Sequence, residues 1–488
     1  MQEFDDDDEN SDIEEEEGSL LDFDNFIKKF GKDYGYGGKL DQIRERELKR
    51  VHGAVYLDYT GAGVYQESQV RKCNDLLLDF LLGNTHSVNP SSKKTEELVE
   101  HIRTQVLSFF NTTATEYSVI FTSGATNSLH IIGEIFPWTK NSKYYYLSEC
   151  HNSVIGIREY AYRYGGGFRA VNEEDLPSSG TFEVSYSETS PFFNPNHTFS
   201  LFAFPAEDNF AGVKYPLHWI KDVQNGFFND WLVALDAAAF VPTNPLDLSQ
   251  VHPDFVSLSF YKMFGFPTGI GALLVRNAVV GVLDKVYWGG GTVSLASELT
   301  RFNKFHSRPS SKFEDGTINF QAIACIGIGL DTLQSLGMHA IQKHVAAVTA
   351  LLYDGLSSLY HSNGMPLVEV YGKHALKDPS VQGGVLSMNL KRPDGSYIGY
   401  YTVQVDSARA NVHLRTGCHC VPGACRKYLN QPKEVYEELW KQKDSCSDSI
   451  DSYKGIPLGG VRASMGYLTS FEDITRFIDF LRGYLDKE

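Results

Sequence analysis

Short apolar runs alternate with longer stretches of helical periodicity along most of the chain. The apolar runs predict strands at 118–122, 143–147, 200–204, 231–235, 255–259 and 271–275, and the periodic stretches predict helices between them, notably 123–136 and 153–164. This alternation predicts an α/β fold with a mainly parallel sheet and helices on both faces. In such folds the active site lies in the loops that leave the carboxyl ends of the strands.

The flanking regions follow other patterns. Helices are predicted at 19–30, 40–50 and 96–110, and a strand that runs into a tight turn is predicted at 55–59. After Gly316 a long helix at 322–359 is expected to lead into strands at 381–390, 397–402, 412–414 and 461–464 and a last helix at 472–485. We therefore expect a helical segment at 18–55, a large domain at 56–330 and a smaller α+β domain at 331–488. Residues 172–198 are polar and contain three prolines, which predicts an inserted loop.

Charge and composition narrow the possible partners. The net charge of −17 comes largely from residues 1–17, which hold 11 acidic residues and no basic one and are predicted to form a disordered acidic tail. The rest of the chain is not basic, so we expect no nucleic-acid partner. Without a long apolar window or a signal-like N-terminus, we expect a cytoplasmic protein with no membrane partner. Seven cysteines, an odd number, predict no disulfide framework.

Lys262 is the first candidate for chemistry. It follows the apolar run 255–259 in a Ser259-x-x-Lys262 step, just before a loop rich in glycine and proline. Burial at the end of a strand lowers the pKa of a lysine amine, and the neutral amine is a nucleophile for carbonyl groups such as that of pyridoxal phosphate. A surface lysine beyond a strand is the structural alternative.

Other candidates also follow predicted strands. Ala125 and Thr126 open a helix whose free N–H groups could bind a phosphate, although simple helix capping is an alternative. Asp236 could pair with a protonated pyridine nitrogen, or else with an arginine. His151 could stack on a flat ring, and Asn209 could donate to a phenolate oxygen; a structural histidine and a turn-capping asparagine are the alternatives.

The segment 415–425 concentrates cysteines. Its Cys-x-Cys-x₄-Cys pattern with His419, glycines and a proline predicts a flexible, exposed loop. A metal clip would need a second Cys/His cluster, which the sequence lacks, so we expect no metal. A nucleophilic thiol activated by Arg415 and His419 suits sulfur chemistry better. Arg462, in a predicted C-terminal strand, could bind a substrate carboxylate or form a surface ion pair.

Taken together, these residues resemble the N-terminal, cysteine-desulfurase-like part of molybdenum cofactor sulfurases, which belong to the class V aminotransferase superfamily of pyridoxal phosphate enzymes. The resemblance extends over about residues 22–482. It rests on motifs in family order: Tyr56-Leu57-Asp58, Gly83-Asn84-Thr85-His86-Ser87, Phe121-Thr122-Ser123-Gly124-Ala125-Thr126, His151-Asn152-Ser153-Val154, Ser259-Phe260-Tyr261-Lys262, Gly289-Gly290-Gly291-Thr292-Val293, Phe313-Glu314-Asp315-Gly316-Thr317 and Arg415-Thr416-Gly417-Cys418.

The resemblance implies a role for each residue. Lys262 would hold pyridoxal phosphate and move the substrate proton, Asp236 would pair with the ring nitrogen, His151 would stack on the ring and Asn209 would meet its phenolic oxygen. The phosphate would be bound by Ala125, Thr126, Ser259, Tyr261 and, from the partner subunit of a homodimer, Thr317. Arg462 would hold the carboxylate of L-cysteine, and Cys420 would carry a persulfide, with Cys418 and Cys425 as less favoured carriers.

The expected function is a cysteine desulfurase that passes sulfur to the molybdenum cofactor or to an enzyme that contains it. Family members generally continue into a second domain, whereas this chain stops soon after Asp473. The sulfur acceptor could therefore be bound in trans, or it could be a different one. Two further alternatives are a non-catalytic binding module that acts through the acidic tail and a metal-binding scaffold built on residues 418–425.

Overall fold

The computed structural model describes residues 19–176, 198–226, 230–439 and 449–487. Its centre is a seven-stranded sheet with the order Tyr117–Thr122, Gly271–Arg276, Phe255–Ser259, Trp231–Asp236, Ser200–Pro205, Lys143–Leu147 and Gly167–Val171. Gly271–Arg276 is antiparallel to both of its neighbours, and the other pairs are parallel. The predicted α/β fold with a mainly parallel sheet is confirmed.

Helices cover the sheet, which explains why its central strands are continuous apolar runs. Every residue of Ser200–Pro205, Trp231–Asp236 and Phe255–Ser259 is buried, as expected for strands covered on both faces. The helices up to residue 336 are Phe23–Phe30, Gly35–Gly38, Leu40–Glu47, Glu67–Asp79, Pro90–Phe109, Ala125–Ile135, Asn152–Ile155, Arg158–Arg163, Trp219–Gly226, Phe260–Phe264, Pro309–Phe313 and Phe320–Leu336.

A second sheet is antiparallel. Its order is Val368–Tyr371, Val385–Lys391, Gly460–Ser464 and Arg415–Gly417, with Tyr397–Ile398 paired beside Val385–Lys391. The helices of this part are Met338–Ser357, Tyr400–Arg409, Pro422–Tyr428, Lys433–Leu439 and Phe471–Arg482. The strand Val55–Tyr56 pairs in parallel with Val412–His413. The remaining strands form the hairpins Val293–Ala296/Asn303–Phe305 and Ser452–Tyr453/Ile456–Pro457.

Some predicted elements were wrong for identifiable reasons. The helix expected at 322–359 is two helices, Phe320–Leu336 and Met338–Ser357, because Gly337 between them has a φ of 85° that a helix cannot continue through. The strand expected at 397–402 ends at Ile398, and a helix begins at Tyr400. The strand Gly167–Val171 escaped prediction because four of its five residues are exposed at the sheet edge.

Two other sequence expectations lie outside this description. The acidic tail at 1–17 and most of the inserted loop at 172–198 fall among residues that the structure does not describe. Among the residues it does describe, no helix combines the length and apolar character needed to cross a membrane.

Candidate active site

A cavity of about 100 Å³ opens at the carboxyl ends of the central strands. Eight of the predicted cofactor-binding residues line it: Ala125, Thr126, His151, Asn209, Asp236, Ser259, Tyr261 and Lys262. They come from five strand ends, which converge because parallel strands end at the same edge of the sheet. Cys420, Arg462 and Thr317 are not part of this wall.

Lys262 lies in the short helix Phe260–Phe264, directly after the buried strand Phe255–Ser259. Burial lowers the pKa of its amine to about 8. The nearby positive charges of Arg462 and Arg415 also lower this pKa, whereas the negative charges of Asp236 and Asp58 raise it. Near neutral pH the amine is still mostly protonated, but its neutral, nucleophilic form is far more populated than in an ordinary lysine. Gly265 ends the helix with a φ of 81°, and a side chain there would collide with the backbone of Gly63 and Tyr65.

Asp236 is a buried carboxylate that forms no ion pair with the residues that the structure describes. Its Oδ1 accepts hydrogen bonds from the Ala238 N–H at 3.1 Å and the Ser257 hydroxyl at 3.2 Å. Within the described part of the chain no basic side chain forms an ion pair with it, so the alternative of a buried salt bridge to arginine is wrong. A buried carboxylate in a cavity is stabilised by a bound cationic group.

His151 caps the short helix Asn152–Ile155. Its Nδ1 accepts a hydrogen bond from the Ser153 N–H at 3.1 Å, which places the proton of a neutral ring on Nε2. Burial lowers the pKa of the imidazole, so the ring is neutral at physiological pH. A neutral aromatic ring at the cavity wall suits stacking on a flat ligand.

Hydroxyl groups surround the start of the helix Ala125–Ile135. The Ala125 N–H donates to Ser259 Oγ at 2.9 Å, and the hydroxyls of Thr126 and Ser153 lie 2.9 Å apart. The free N–H groups of a helix start and these hydroxyls together make a suitable binding site for a phosphate. Ser153 was not singled out by the sequence analysis.

Asn209 lines the cavity and already makes one hydrogen bond within the protein. Its Nδ2 donates one hydrogen to the His419 carbonyl at 2.9 Å, and the expected contact with a ligand oxygen stays a prediction. Its Oδ1 is buried and has no hydrogen-bond partner. The amide therefore ties the cysteine segment to the cavity wall and leaves a buried acceptor for a ligand donor.

The segment 415–425, which we call the cysteine loop, is buried or half-buried along its length and not exposed as expected. The Asn152 N–H donates to the Cys420 carbonyl at 2.8 Å, and Lys427 in the following helix forms an ion pair of 2.6 Å with buried Glu149. Cys418 and Cys425 are joined by a disulfide, contrary to the expectation that the cysteines are unpaired. Sequence spacing missed this bond because the fold, not the count of cysteines, brings the two sulfurs together.

Cys420 is therefore the free thiol of the loop and is half-buried. His419 beside it is fully buried, and burial and the nearby arginines lower the pKa of its imidazole well below the usual value. The ring is neutral, so the expectation that His419 activates the thiol by its charge is wrong. Neither of its ring nitrogens has a hydrogen-bond partner among the residues that the structure describes.

Arg462 is completely buried, and its alternative role as a surface residue is wrong. Its Nη2 lies 2.7 Å from Asp58 Oδ1, and its Nη1 donates to the Asn209 carbonyl at 2.9 Å. Arg415 lies directly opposite Arg462 in the antiparallel sheet. It is half-buried and forms no ion pair with the residues that the structure describes. Sequence analysis placed Arg415 beside the thiol but did not pair it with Arg462, because that pairing depends on the register of two distant strands.

Thr317 lies on an exposed surface away from the cavity. Its hydroxyl accepts from Asn84 Nδ2 at 3.3 Å, and His86 Nε2 lies 3.0 Å from the Gly316 carbonyl. These contacts join the segments around residues 84–86 and 316–317. Thr317 does not line the cavity of its own subunit.

Glu207 is a cavity residue that sequence analysis did not identify, although it lies two residues before Asn209. Burial raises the pKa of its carboxyl group to about 8. The positive charge of Lys214 and the hydrogen bond from Asn244 both act to lower this pKa. Its oxygens also fill the space that a side chain at Gly383 would need. Glu207 is a second buried carboxyl group beside Lys262, and it is mainly protonated at neutral pH.

The wall of the cavity fits a flat cofactor with a phosphate, a cationic ring nitrogen and a carbonyl carbon. The lining supplies helix N–H groups and hydroxyls, the carboxylate of Asp236, which has no ion-pair partner among the described residues, and the amine of Lys262. The orphaned Oδ1 of Asn209 adds an acceptor. These are the groups that pyridoxal phosphate requires.

Comparison with known proteins supports the same class of protein. A family model described as aminotransferase class-V matches residues 55–477. The molybdenum cofactor sulfurase of Homo sapiens is 40% identical over 463 residues, which cover 92% of this chain and 52% of the human protein. The chain thus spans about half the length of the curated relatives it matches. The resemblance inferred from the motifs is confirmed.

Solved structures agree on the fold. A cysteine desulfurase from Thermococcus onnurineus superposes with a TM-score of 0.70 at 18% identity, covering 91% of this chain and 97% of that one. C-DES, in a mutant that has glycine covalently linked to its pyridoxal phosphate, superposes with a TM-score of 0.65 at 16% identity, covering 90% and 99%.

Proposed function

The chain belongs to the class V aminotransferase family, and from that premise we propose that it is a pyridoxal phosphate-dependent L-cysteine desulfurase that supplies sulfur to the molybdenum cofactor. The observation that carries this proposal is a lysine with a lowered pKa in a cavity with the unpaired carboxylate of Asp236, beside a loop that holds the free thiol of Cys420.

Each of the cavity residues would bind a different part of the cofactor. Lys262 would hold the aldehyde carbon, and Asp236 would hold the ring nitrogen in its protonated form. The ring of His151 would stack on the cofactor ring, and the amide of Asn209 would meet the phenolic oxygen. Ala125, Thr126, Ser259 and Tyr261 would bind the phosphate. When bound, pyridoxal phosphate supplies an electron sink for the substrate α-carbon.

Lys262 then serves as the base. Once its amine is free, it removes the proton from the substrate α-carbon, and its pKa of about 8 lets it accept and return a proton near neutral pH. Glu207 is the other group in the cavity whose protonation changes in this range. While its carboxyl group is neutral, Glu207 adds no negative charge that would raise the pKa of the Lys262 amine.

The substrate carboxylate is bound by the two opposed arginines. Arg462 already holds Asp58, so the substrate carboxylate displaces that side chain or shares the guanidinium with it. Arg415 has its guanidinium available beside it. A planar guanidinium binds a carboxylate through two parallel hydrogen bonds, and the pair orients the thiol of L-cysteine toward the cysteine loop.

Cys420 performs the sulfur step. Its thiolate attacks the sulfur of the bound cysteine, an S–S bond forms, and the C–S bond breaks. The electron pair of the broken bond stays with the substrate carbon, which is protonated to give alanine. The enzyme is left with a persulfide on Cys420, which it passes to the molybdenum cofactor or to an enzyme containing it.

A homodimer completes the site. Large apolar side chains are exposed at 77–88 and 286–302, with Leu78, Leu81 and Leu299 more than four-fifths exposed. The two stretches meet where the ring of His86 lies against Gly291. A second copy seated there covers this apolar surface and brings Thr317 toward the phosphate of its partner. We place the protein in the cytoplasm, with L-cysteine as its small-molecule partner.

The test is to incubate the purified protein with L-cysteine and measure alanine and the visible absorbance of the cofactor. The wild-type protein is expected to show both, and Lys262→Ala to lose both. Lys312→Ala is the matched control, since Lys312 also has a lowered pKa but lies outside the cavity. Retention of absorbance and alanine release by Lys262→Ala would contradict the mechanism. If alanine forms but an apo molybdenum enzyme is not activated, the acceptor assignment fails.

A further inference from the structure

The cysteine loop turns tightly around Cys420. The Val421 N–H donates to the Cys418 carbonyl at 2.9 Å, which closes a four-residue turn. Its two central residues, His419 and Cys420, have φ angles of 53° and 62°. Turns of this kind usually carry asparagine and glycine, because other side chains disfavour the left-handed region. The surrounding contacts must therefore hold the turn in place.

The disulfide between Cys418 and Cys425 connects the start of this turn to the helix that follows it. Cys418 Sγ lies 3.1 Å from the Leu458 carbonyl oxygen and Cys425 Sγ 3.9 Å from the same atom. Cys418 is two residues from Cys420, a separation of at most about 7 Å between Cα atoms even in an extended chain. This short separation keeps a reduced Cys418 thiol close to any sulfur carried by Cys420.

We propose that Cys418 and Cys425, when both are reduced, discharge the sulfur carried by Cys420 as sulfide, and that the Cys418–Cys425 disulfide prevents this loss. The inference rests on the proposed function, because it needs a persulfide on Cys420. It assigns the two flanking cysteines to sulfur retention, a different role from that of alternative carriers.

The reaction balances without an external oxidant. The Cys418 thiolate attacks the inner sulfur of the Cys420 persulfide, and the outer sulfur leaves as hydrosulfide. The Cys425 thiolate then attacks Cys418 of the new Cys418–Cys420 disulfide and releases the Cys420 thiolate. The two flanking thiols are oxidised to a disulfide, and the persulfide sulfur is reduced to sulfide.

In a reduced subunit, the first turnover therefore forms the Cys418–Cys425 disulfide. That first sulfur is lost as sulfide, and the Cys420 thiol is regenerated. In every later turnover Cys418 carries no thiol, so the persulfide stays on Cys420 until an external acceptor takes it. The disulfide can thus form from the enzyme's own product even in a reducing compartment.

The test compares the full-length holoprotein before and after reduction, with the reductant removed without oxygen. One equivalent of L-cysteine per subunit is added without thiol, and alanine, free sulfide and titratable thiols are measured. The reduced wild-type protein is expected to release one sulfide per subunit and to lose two of its thiols. The disulfide form is expected to release alanine but no sulfide and to retain the sulfur on Cys420.

Two variants separate chemistry from folding. C418S/C425S is expected to retain the sulfur whether or not it has been reduced. C425S keeps the attacking thiol, so it is expected to release one sulfide and then stop as a Cys418–Cys420 disulfide. Retention of sulfur by the reduced wild-type protein, or sulfide release by C418S/C425S, overturns the inference while alanine release upholds the desulfurase function. Absence of alanine from every form overturns both.

Discussion

The chemistry depends on a few side chains whose surroundings change their ordinary properties. Lys262 has a pKa of about 8 because it is buried near Arg462 and Arg415. Asp236 is a buried carboxylate that has neutral donors and no cationic partner in the described chain. Burying either charged side chain without a partner costs free energy. Together they form a site that favours a ligand with an electrophilic carbonyl and a cationic ring.

The lowered pKa of Lys262 can be tested by loading the apoprotein with pyridoxal phosphate. Below pH 8 the amine is protonated and does not attack the aldehyde, so the loading rate is expected to rise with pH through about 8. A free lysine amine has a pKa of about 10.4, so N-acetyl-lysine in the same buffers serves as the control for titration of the reagent. A protein profile that coincides with that of N-acetyl-lysine would contradict the lowered pKa.

Sequence alone identified the residues that directly follow buried strands. Lys262, Asp236 and His151 could be predicted because strand ends converge in a parallel sheet. The partners that these residues have in the fold could not be predicted in the same way. The pairing of Arg462 with Asp58 and the disulfide of Cys418 depend on contacts between segments far apart in sequence or on loop geometry.

At the scale of elements, a buried ion pair holds one corner of the large sheet. Arg103 in the helix Pro90–Phe109 forms a two-pronged contact with Glu314, with both N–O distances at 2.7 Å. The Phe121 N–H also donates to Glu314 Oε1 at 2.7 Å. This contact fixes the strand that leads to Ala125 and the segment that carries Thr317, so it positions both parts of the expected phosphate site.

Removing Glu314 takes away the two-pronged partner of the buried Arg103 guanidinium and leaves it only the partly exposed carboxylate of Glu100. Glu314→Ala is expected to lower the free energy of unfolding by about 3–5 kcal/mol, measured by denaturant titration. The double variant Arg103→Met/Glu314→Leu is expected to lose less, because no charge is left unpaired. Arg482→Ala, which removes an exposed ion pair with Asp479, is the control, with an expected loss below about 1 kcal/mol. A loss for Glu314→Ala as small as the control would refute this role.

The elements predicted correctly are those whose burial leaves a simple pattern. Lys143–Leu147 and Phe255–Ser259 match the predicted bounds because the apolar runs coincide with the strands. The exposed edge strand Gly167–Val171 leaves no such pattern. The helix Tyr400–Arg409 was missed because its first residues, Tyr400 to Val403, are aromatic or β-branched and favour a strand locally; packing in the fold overrides that preference.

At the scale of the whole molecule, the exposed apolar surface around residues 77–88 and 286–302 is the feature that needs a partner. Contiguous exposed apolar patches on soluble proteins usually mark interaction sites. From the sequence, a dimer could be expected only because the motif at 313–317, which contains Thr317, resembles that of the family. In the fold, Thr317 contacts Asn84 and His86 contacts Gly316, so the segment of Thr317 lies next to the exposed apolar stretch 77–88.

The dimer proposal can be tested by sedimentation. Leu81→Asp/Leu299→Asp places two charges in the proposed interface, and it is expected to convert a dimer to a monomer and to weaken pyridoxal phosphate binding. Leu376→Asp alters a similarly exposed leucine elsewhere and is expected to remain a dimer. A wild-type protein that sediments as a monomer, or a double variant that stays dimeric with full cofactor affinity, would exclude this surface as the interface.

The most direct measurement for the whole account is the location of the sulfur after one turnover. The holoprotein in its disulfide form is given L-cysteine, alkylated and digested, and each cysteine peptide is examined by mass spectrometry. The account predicts one added sulfur atom on Cys420, in proportion to the alanine released, and no sulfur addition in Cys420→Ala or Lys262→Ala. Alanine release with the added sulfur on Cys73, Cys150 or Cys325, or an unchanged yield of protein-bound sulfur in Cys420→Ala, would contradict it.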